Sequence, residues 1–376
     1  MDEKLTKKIE WVKKELGDKT VQELAEFDVK KGQDGEDGAP YYKTYLDQTT
    51  ASMGALFKKT EWGKLTPWEK LCCYKISGST GVDCDASLRS TVIYQLAFGY
   101  GETYEVKRYK SKGEYRLEAQ PQSNGLILRG DTMNSYAKTV REYIRKIWLP
   151  EHEKEMLGEK IITTTENGWE VSKKYQKISK DNYWDAAILD NYAYFENKED
   201  KDALTKTAAY EFFRIYHTVG NFLPAPPAFQ DRGSMQLPSH DYWDLALMCI
   251  YNYFCKVNDP KYKKYTLEWL IKKEEAVSSC RAWLDSFGSG QGGWDCFVER
   301  NFLQDFVNRD GEPYGPPKEL WKGHFTNGTK PSDRADFEQF FTNTSAWIAE
   351  RGERIARAVK AALAAEKSAA AREARP

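Results

Sequence analysis

Apolar positions recur at spacings of three and four near both ends of the chain and alternate with polar positions between them. Leu5, Ile9, Val12 and Leu16 share one side of residues 2–16, which predicts an amphipathic helix. Thr20 is placed to cap a second, short helix over "VQELAEF". "DVKKGQDGEDGAPYY" has glycines, a proline, mixed charge and no period, and reads as an exposed loop. In "TPWEKLCCYKI" the helical spacing returns, with Thr66 as cap and Pro67 in the first turn.

"TYEVKRYK", "EYRLEAQ" and "GLILRGD" alternate and are separated by turn residues, which predicts three antiparallel strands. Helical spacing resumes in "TMNSYAKTVREYIRKIW", and "EKIITTTENGWEVSKKYQ" predicts a hairpin about Asn167-Gly168. Beyond residue 182 the pattern is mostly helical. The segments are "DNYWDAAILDNYAYF", "KDALTKTAAYEFFRIYHTVG", "HDYWDLALMCIYNYFCKV", "YTLEWLIKKEEAVSSCRAWLDSF", "WDCFVERNFLQDFV" and a last helix over about 332–365. A Gly/Pro-rich loop separates the final two, and the Ala-rich tail has little apolar surface to bury. No internal repeat is visible. The expected fold is α+β, predominantly α-helical, with a small antiparallel sheet in the N-terminal half packed on a helical core. The expected organisation is N-terminal helices over 1–26, a mixed lobe over 27–180, a helical lobe over 181–365 and a frayed tail over 366–376. The two lobes form either separate units or one compact domain.

Composition narrows the classes of function. The 376 residues are 40 % hydrophobic and 30 % charged, as in ordinary soluble domains. A net charge of −1 gives no global footprint for nucleic acid. No apolar run reaches the roughly 18–20 residues of a membrane span, and the N-terminus lacks an apolar signal core, so a cytoplasmic location is expected. The seven cysteines form no CxxC pair and read as free thiols, several of them buried. "NGT" at Asn327 and "NTS" at Asn343 match the glycosylation pattern, which means little without a secretory signal.

The richest stretch for chemistry runs from Tyr216 to Leu247. A helix is expected to end near Val219, with Gly220 as a left-handed cap. Pro224, Pro226 and Pro227 then force an extended strap. His217 and Asn221 stand at one end of that strap, and His240, Asp241 and Asp244 at the other, with Arg232 between. Capping and proline stiffening account for the stretch structurally. Read functionally, the same residues supply a proton-transfer imidazole, amide and guanidinium donors for an anionic or carbonyl group, and carboxylates. A second polar knot is "LRGDTMNS", with Arg129, Asp131 and Asn134 where a strand meets a helix. It is either a helix cap or an anion site at a helix start. "WIAERGERIARAV" reads as a helix with Ile348, Ile355 and Val359 on one side and Arg351, Arg354 and Arg357 elsewhere, a charged face or an anion-facing one. There is no GxSxG, HExxH, EF-hand or kinase pattern, and no Walker or dinucleotide-type glycine loop is recognised.

Several pieces resemble a family of uncharacterised bacterial proteins known as a domain of unknown function: "LRGDTMNS", "HTVGNFLPAPPAFQDRG", "DYWDLAL" and "NFLQDFV". That resemblance implies no activity; it groups the polar clusters as one constellation. "HTVGNFLPAP" and "WIAERGERIA" also resemble the His-Asn-His-type domain of modification-dependent restriction proteins, which implies His217 and Asn221 as its matching residues and a divalent metal. The upstream His-bearing strand of that motif is absent from the sequence, so no metal ligand set is assigned and the cofactor stays unknown.

Three functions are compatible with these features. The first is an enzyme acting on a phosphate-bearing ligand, a nucleotide or nucleic acid, with His217 as general base. Asn221, Arg232, Arg129, Asp131 and Asn134 would then hold the ligand, and Asp241 or Asp244 would orient a His or hold a metal. The second is a binding or interaction protein that recognises partners through Tyr242, Trp243 and Trp294. The third, a carbohydrate-active protein, needs two carboxylates facing across a cleft.

Overall fold

The computed structural model describes residues 3–26, 87–101, 103–109, 115–120, 125–133, 208–215, 218–229, 234–236, 242–309, 313–327 and 330–373, with positions 139, 143 and 147 and the strand backbone at 162–165, 168–171 and 178–179. The expected helices at Thr66 and over 181–195, and most of the one after Thr132, lie outside these residues, as does the loop after Phe27.

Helix α1 (Glu3–Asp18) buries Ile9, Val12 and Leu16, the stripe that its spacing predicts. Thr20 starts α2 (Val21–Ala25) with a reciprocal cap: its hydroxyl accepts from Glu23 N, and the Glu23 carboxylate accepts from Thr20 N. Ser87 caps α3 (Leu88–Ala97) from one side, accepting from Ser90 N. Three strands follow where alternation predicts them: β1 (Tyr104–Arg108), β2 (Tyr115–Ala119) and β3 (Ile127–Thr132). Their antiparallel register sets Val106 opposite Leu117 and Leu117 opposite Leu128, a buried row that packs on α3.

A separate three-stranded sheet contains β4 (Ile162–Thr165), β5 (Gly168–Val171) and β6 (Ile178–Ser179). Gly168, expected in the hairpin turn, is the first residue of β5 and pairs with Thr165.

The larger sheet is completed from the second half of the chain. After α4 (Ala208–Ile215) and a 3-10 turn at Val219–Asn221, strand β7 (Phe222–Ala225) pairs antiparallel with β3. The proline strap is therefore a strand. Pro224 sits opposite Gly130, and this is possible because among the described residues β7 is an edge strand, in the order β1-β2-β3-β7.

The rest is helical: α5 (Trp243–Cys255), α6 (Leu267–Leu270), α7 (Glu274–Asp285), α8 (Gly290–Arg300), α9 (His324–Asn327) and α10 (Arg334–Glu373). One continuous pattern over 265–287 splits into α6 and α7. The backbone between them pairs elsewhere, since Gln236 N donates to Leu270 O and Lys272 N to Ser234 O. The pattern over 294–307 breaks after Arg300, where Phe302 adopts φ 56°. Non-glycine residues rarely take that conformation.

Helix α10 spans 40 residues, about 60 Å at 1.5 Å per residue. It continues to Glu373, past the frayed tail expected from residue 366, with exposed side chains over its last turns. It packs on α1, α2, α3, α4 and the 219–221 turn, so both chain ends share one apolar cluster.

Gly220 does not have the left-handed conformation expected of a cap. It is a glycine because of α10: a Cβ there would lie 2.0 Å from Ile348 O and 3.0 Å from Gly352 N. Both obstructions are backbone and cannot swing away. Gly220→Ala should lower unfolding stability by about 2–3 kcal/mol in urea titration, whereas Gly125→Ala pays only its φ strain because no atom lies within 4 Å. Equal, small losses at the two positions would contradict the packing explanation.

Candidate functional site

The pairing of β3 with β7 brings the two polar knots of the sequence side by side. Arg129 lies opposite Ala225 and Asp131 opposite Leu223, and Met133 N donates to Asn221 O at 2.7 Å. Arg129 is partly exposed; Asn221 is fully buried. His217, Asn134, Arg232 and Asp241 lie outside the described residues, as does the Asp131 side chain.

Beneath this seam lies Arg351. The sequence puts it on a charged helix face, but it is fully buried, in line with Ile348 and Ile355 on the inner side of α10. Nε donates to Asn301 O at 3.0 Å, and Nη1 donates to Gly220 O and Phe222 O at 2.7 Å each. These carbonyls belong to the end of α8, the 3-10 turn and β7, so one side chain joins three elements. No carboxylate pairs with it among the described residues. Burial pushes the guanidinium down to about 9, with the Tyr94 phenol opposing the shift, so it stays charged at neutral pH.

A second buried centre lies along α10 toward its start. Asp244, in the first turn of α5, accepts from Leu245 N with Oδ1 and from Leu320 N with Oδ2. The same Oδ2 is 2.6 Å from His324 Nδ1. The His324 ring stacks on Trp321 at 3.6 Å and meets Tyr242 edge-on at 5.2 Å. A carboxylate on Nδ1 fixes the ring and leaves Nε2 as the group for further chemistry. Here Nε2 faces the interior and has no partner among the described residues. The pair thus fastens the 320–327 segment to α5. His324 carries no local signal in the sequence, because its partner is 80 residues away. Phe340, which touches Tyr242, precedes Arg351 by 11 residues, about 16 Å of helix. The two buried centres are therefore distinct.

Tyr242, Trp243 and Trp294, the aromatic surface of the interaction reading, are all core residues. Cys249 and Cys280 are buried and Cys255 and Cys296 partly so, all as free thiols. Among the described residues no group of three His, Cys, Asp or Glu side chains is placed to hold a metal, and no helix is long and apolar enough to cross a membrane.

Where the end of α5 meets the start of α8, an open pocket of about 620 Å³ is lined by Tyr253, Cys255, Lys256, Asp285, Ser289 and Gln291 together with glycine backbone. The start of α8 is "GSGQGG", Gly288 to Gly293, which follows α7 directly. Gly288 and Gly290 have φ of 103° and 60°. A Cβ at Gly293 would lie 2.8 Å from the Gly288 backbone, whereas at Gly290 and Gly292 nothing lies within 4 Å. The backbone there is bare and faces open space. Ser289 precedes the helix and makes no side-chain cap bond. Lys256 ends α5 in a left-handed conformation, φ 48°, and is exposed. Gln291 is fixed by donation to Asp295 Oδ1 and Tyr314 O, and Tyr253 donates to Asp285. Burial, then Asp295, pushes the Cys255 thiol up to about 11, so it is no thiolate nucleophile at neutral pH.

Comparison with family models, curated proteins and solved structures gave no match.

Removing the charge at Asp244 isolates the structural role of its pair with His324. Asp244→Asn leaves an amide donor against Leu320 N or His324 and should cost about 2–4 kcal/mol in urea titration. A loss below about 0.5 kcal/mol would mean that the pair holds nothing together.

Proposed function

We propose that the protein is an enzyme acting on a phosphate-bearing ligand, and that the pocket between α5 and α8 receives the phosphate. One observation carries this reading: a single open pocket combines an exposed lysine with glycine backbone that nothing covers. The first-turn N–H groups of a helix carry partial positive charge and lack intrahelical acceptors. Glycine at 290 lets an oxyanion come close to them, and the Lys256 ammonium adds a full charge beside them. Asp285, held by Tyr253, is the carboxylate of the same pocket.

The β3–β7 seam supports a second placement of the same chemistry. It sets the backbone of Arg129 and Asp131 beside the turn that follows His217, above a buried guanidinium that no acid among the described residues neutralises. An unneutralised charge in a low-dielectric interior favours anions nearby. In that placement His217 is the base, Asn221, Asn134 and Arg232 position the ligand, and Asp241 orients an imidazole.

Titration calorimetry with pyrophosphate separates the two placements. Binding to the pocket predicts an affinity loss of about tenfold in Lys256→Glu, with little loss of stability, since Lys256 is exposed. Full affinity in that variant would move the site to the seam. No saturable binding by the unaltered protein would end the phosphate reading.

A further inference from the structure

We infer that the ligand is a single-stranded nucleic acid, lying over Tyr253 across two hollows with its backbone on the lysine-rich turn that follows α5. This rests on the phosphate reading of the pocket and names its ligand class. A second hollow of about 180 Å³ adjoins the first; it is lined by Thr266, Glu268 and Arg281, and Tyr253 lines both. The two hollows thus form one groove interrupted by an aromatic ring. Donation from the Tyr253 hydroxyl to Asp285 holds that ring in place.

The segment that follows α5 is unusually basic. Lys256, Lys261, Lys263 and Lys264 are all exposed, and Asp259 is the one acid among residues 256–264. A chain with a net charge of −1 therefore concentrates positive charge here. The turn that carries these lysines is fixed against α5, because Asn252 Nδ2 donates to both Tyr262 O and Tyr265 O. Lys261 lies 3.7 Å from Glu319, and Lys264 sits over the Tyr265 ring at 5.0 Å. Lys256 and Lys263 pair with no carboxylate among the described residues. On the far side, Arg281 meets Glu268 across the second hollow.

A ligand with one phosphate group uses the pocket and leaves the lysine turn idle. A phosphodiester chain uses both, because its charges repeat along its length. An aromatic side chain between two hollows, beside a lysine-rich turn, is an arrangement on which an unpaired base stacks while the backbone follows the lysines. A base inside a duplex cannot reach such a ring.

The test is fluorescence anisotropy with a labelled thymidine oligonucleotide of about 12 residues, within the span of known single-strand sites. The same titration is run with a duplex of that length, with polyglutamate and with unlabelled pyrophosphate. Single-strand binding should exceed duplex binding by about tenfold and weaken steeply with salt. Lys261→Glu combined with Lys263→Glu and Lys264→Glu should lower single-strand affinity at least about tenfold and flatten the salt dependence. Tyr253→Ala should lower it about fivefold or more by removing the stacking ring. Circular dichroism of each variant shows whether its fold is intact. Pyrophosphate binding without tighter binding of the oligonucleotide would overturn this inference and leave the phosphate reading standing. So would equal binding of duplex or polyglutamate, or full affinity in the lysine variant. Failure of every probe would remove the phosphate reading as well.

Discussion

One buried guanidinium organises the centre of this protein. Arg351 donates to carbonyls from the end of α8, from the 3-10 turn and from β7, and no acid among the described residues compensates its charge. Those carbonyls are groups that regular structure leaves unbonded, at a helix end and an irregular turn. A planar donor with five N–H groups can reach several at once, whereas a lysine cannot reproduce the fork. The approach needed for these bonds explains two glycines. Gly220 allows the turn onto α10, and Gly352 faces Ala25 O and the Cα of Gly220. Helix α10, the edge of the sheet and the end of α8 are thereby fixed to each other.

The same arrangement shows what the sequence could and could not reveal. Alternation located β1 and β2, and spacing located α1 and most of α10, because one face of each is buried; α5 is buried all round over 243–250. The strap at 222–225 gave an extended backbone but not its partner, since Pro224 reads as a breaker until β3 is known to lie on one side only. Arg351 was misplaced for a similar reason. A charged residue counts as solvent-facing by pattern, and only distant carbonyls at Gly220 and Asn301 make its burial tolerable. The Asp244–His324 pair and the α6–α7 break also depend on contacts far away in sequence.

The candidate chemistry divides in the same manner. The polar residues of the β3–β7 seam are adjacent to the Arg351 clasp, with Asn221 buried and Arg129 partly exposed, whereas Asp244 is buried in the separate centre with His324. The pocket at α8 uses ordinary residues, Lys256, Ser289 and glycine, whose significance comes from meeting in one concave place. At 290 and 292 a side chain would meet no atom within 4 Å, although the φ of 60° at Gly290 itself favours glycine. By contrast Gly220 and Gly293 are demanded by packing and say nothing about a ligand.

The clasp is the central claim, and the unfolding free energy of Arg351→Met tests it most directly. Methionine keeps much of the side-chain volume and helix propensity and leaves the three carbonyls unsatisfied. Urea titration should show a loss of about 3–5 kcal/mol, with hydrogen exchange accelerated together in β7, at the end of α8 and in the middle of α10. A variant as stable as the original, or one that is more stable, with exchange unchanged in those segments, would show that the buried charge does not hold them.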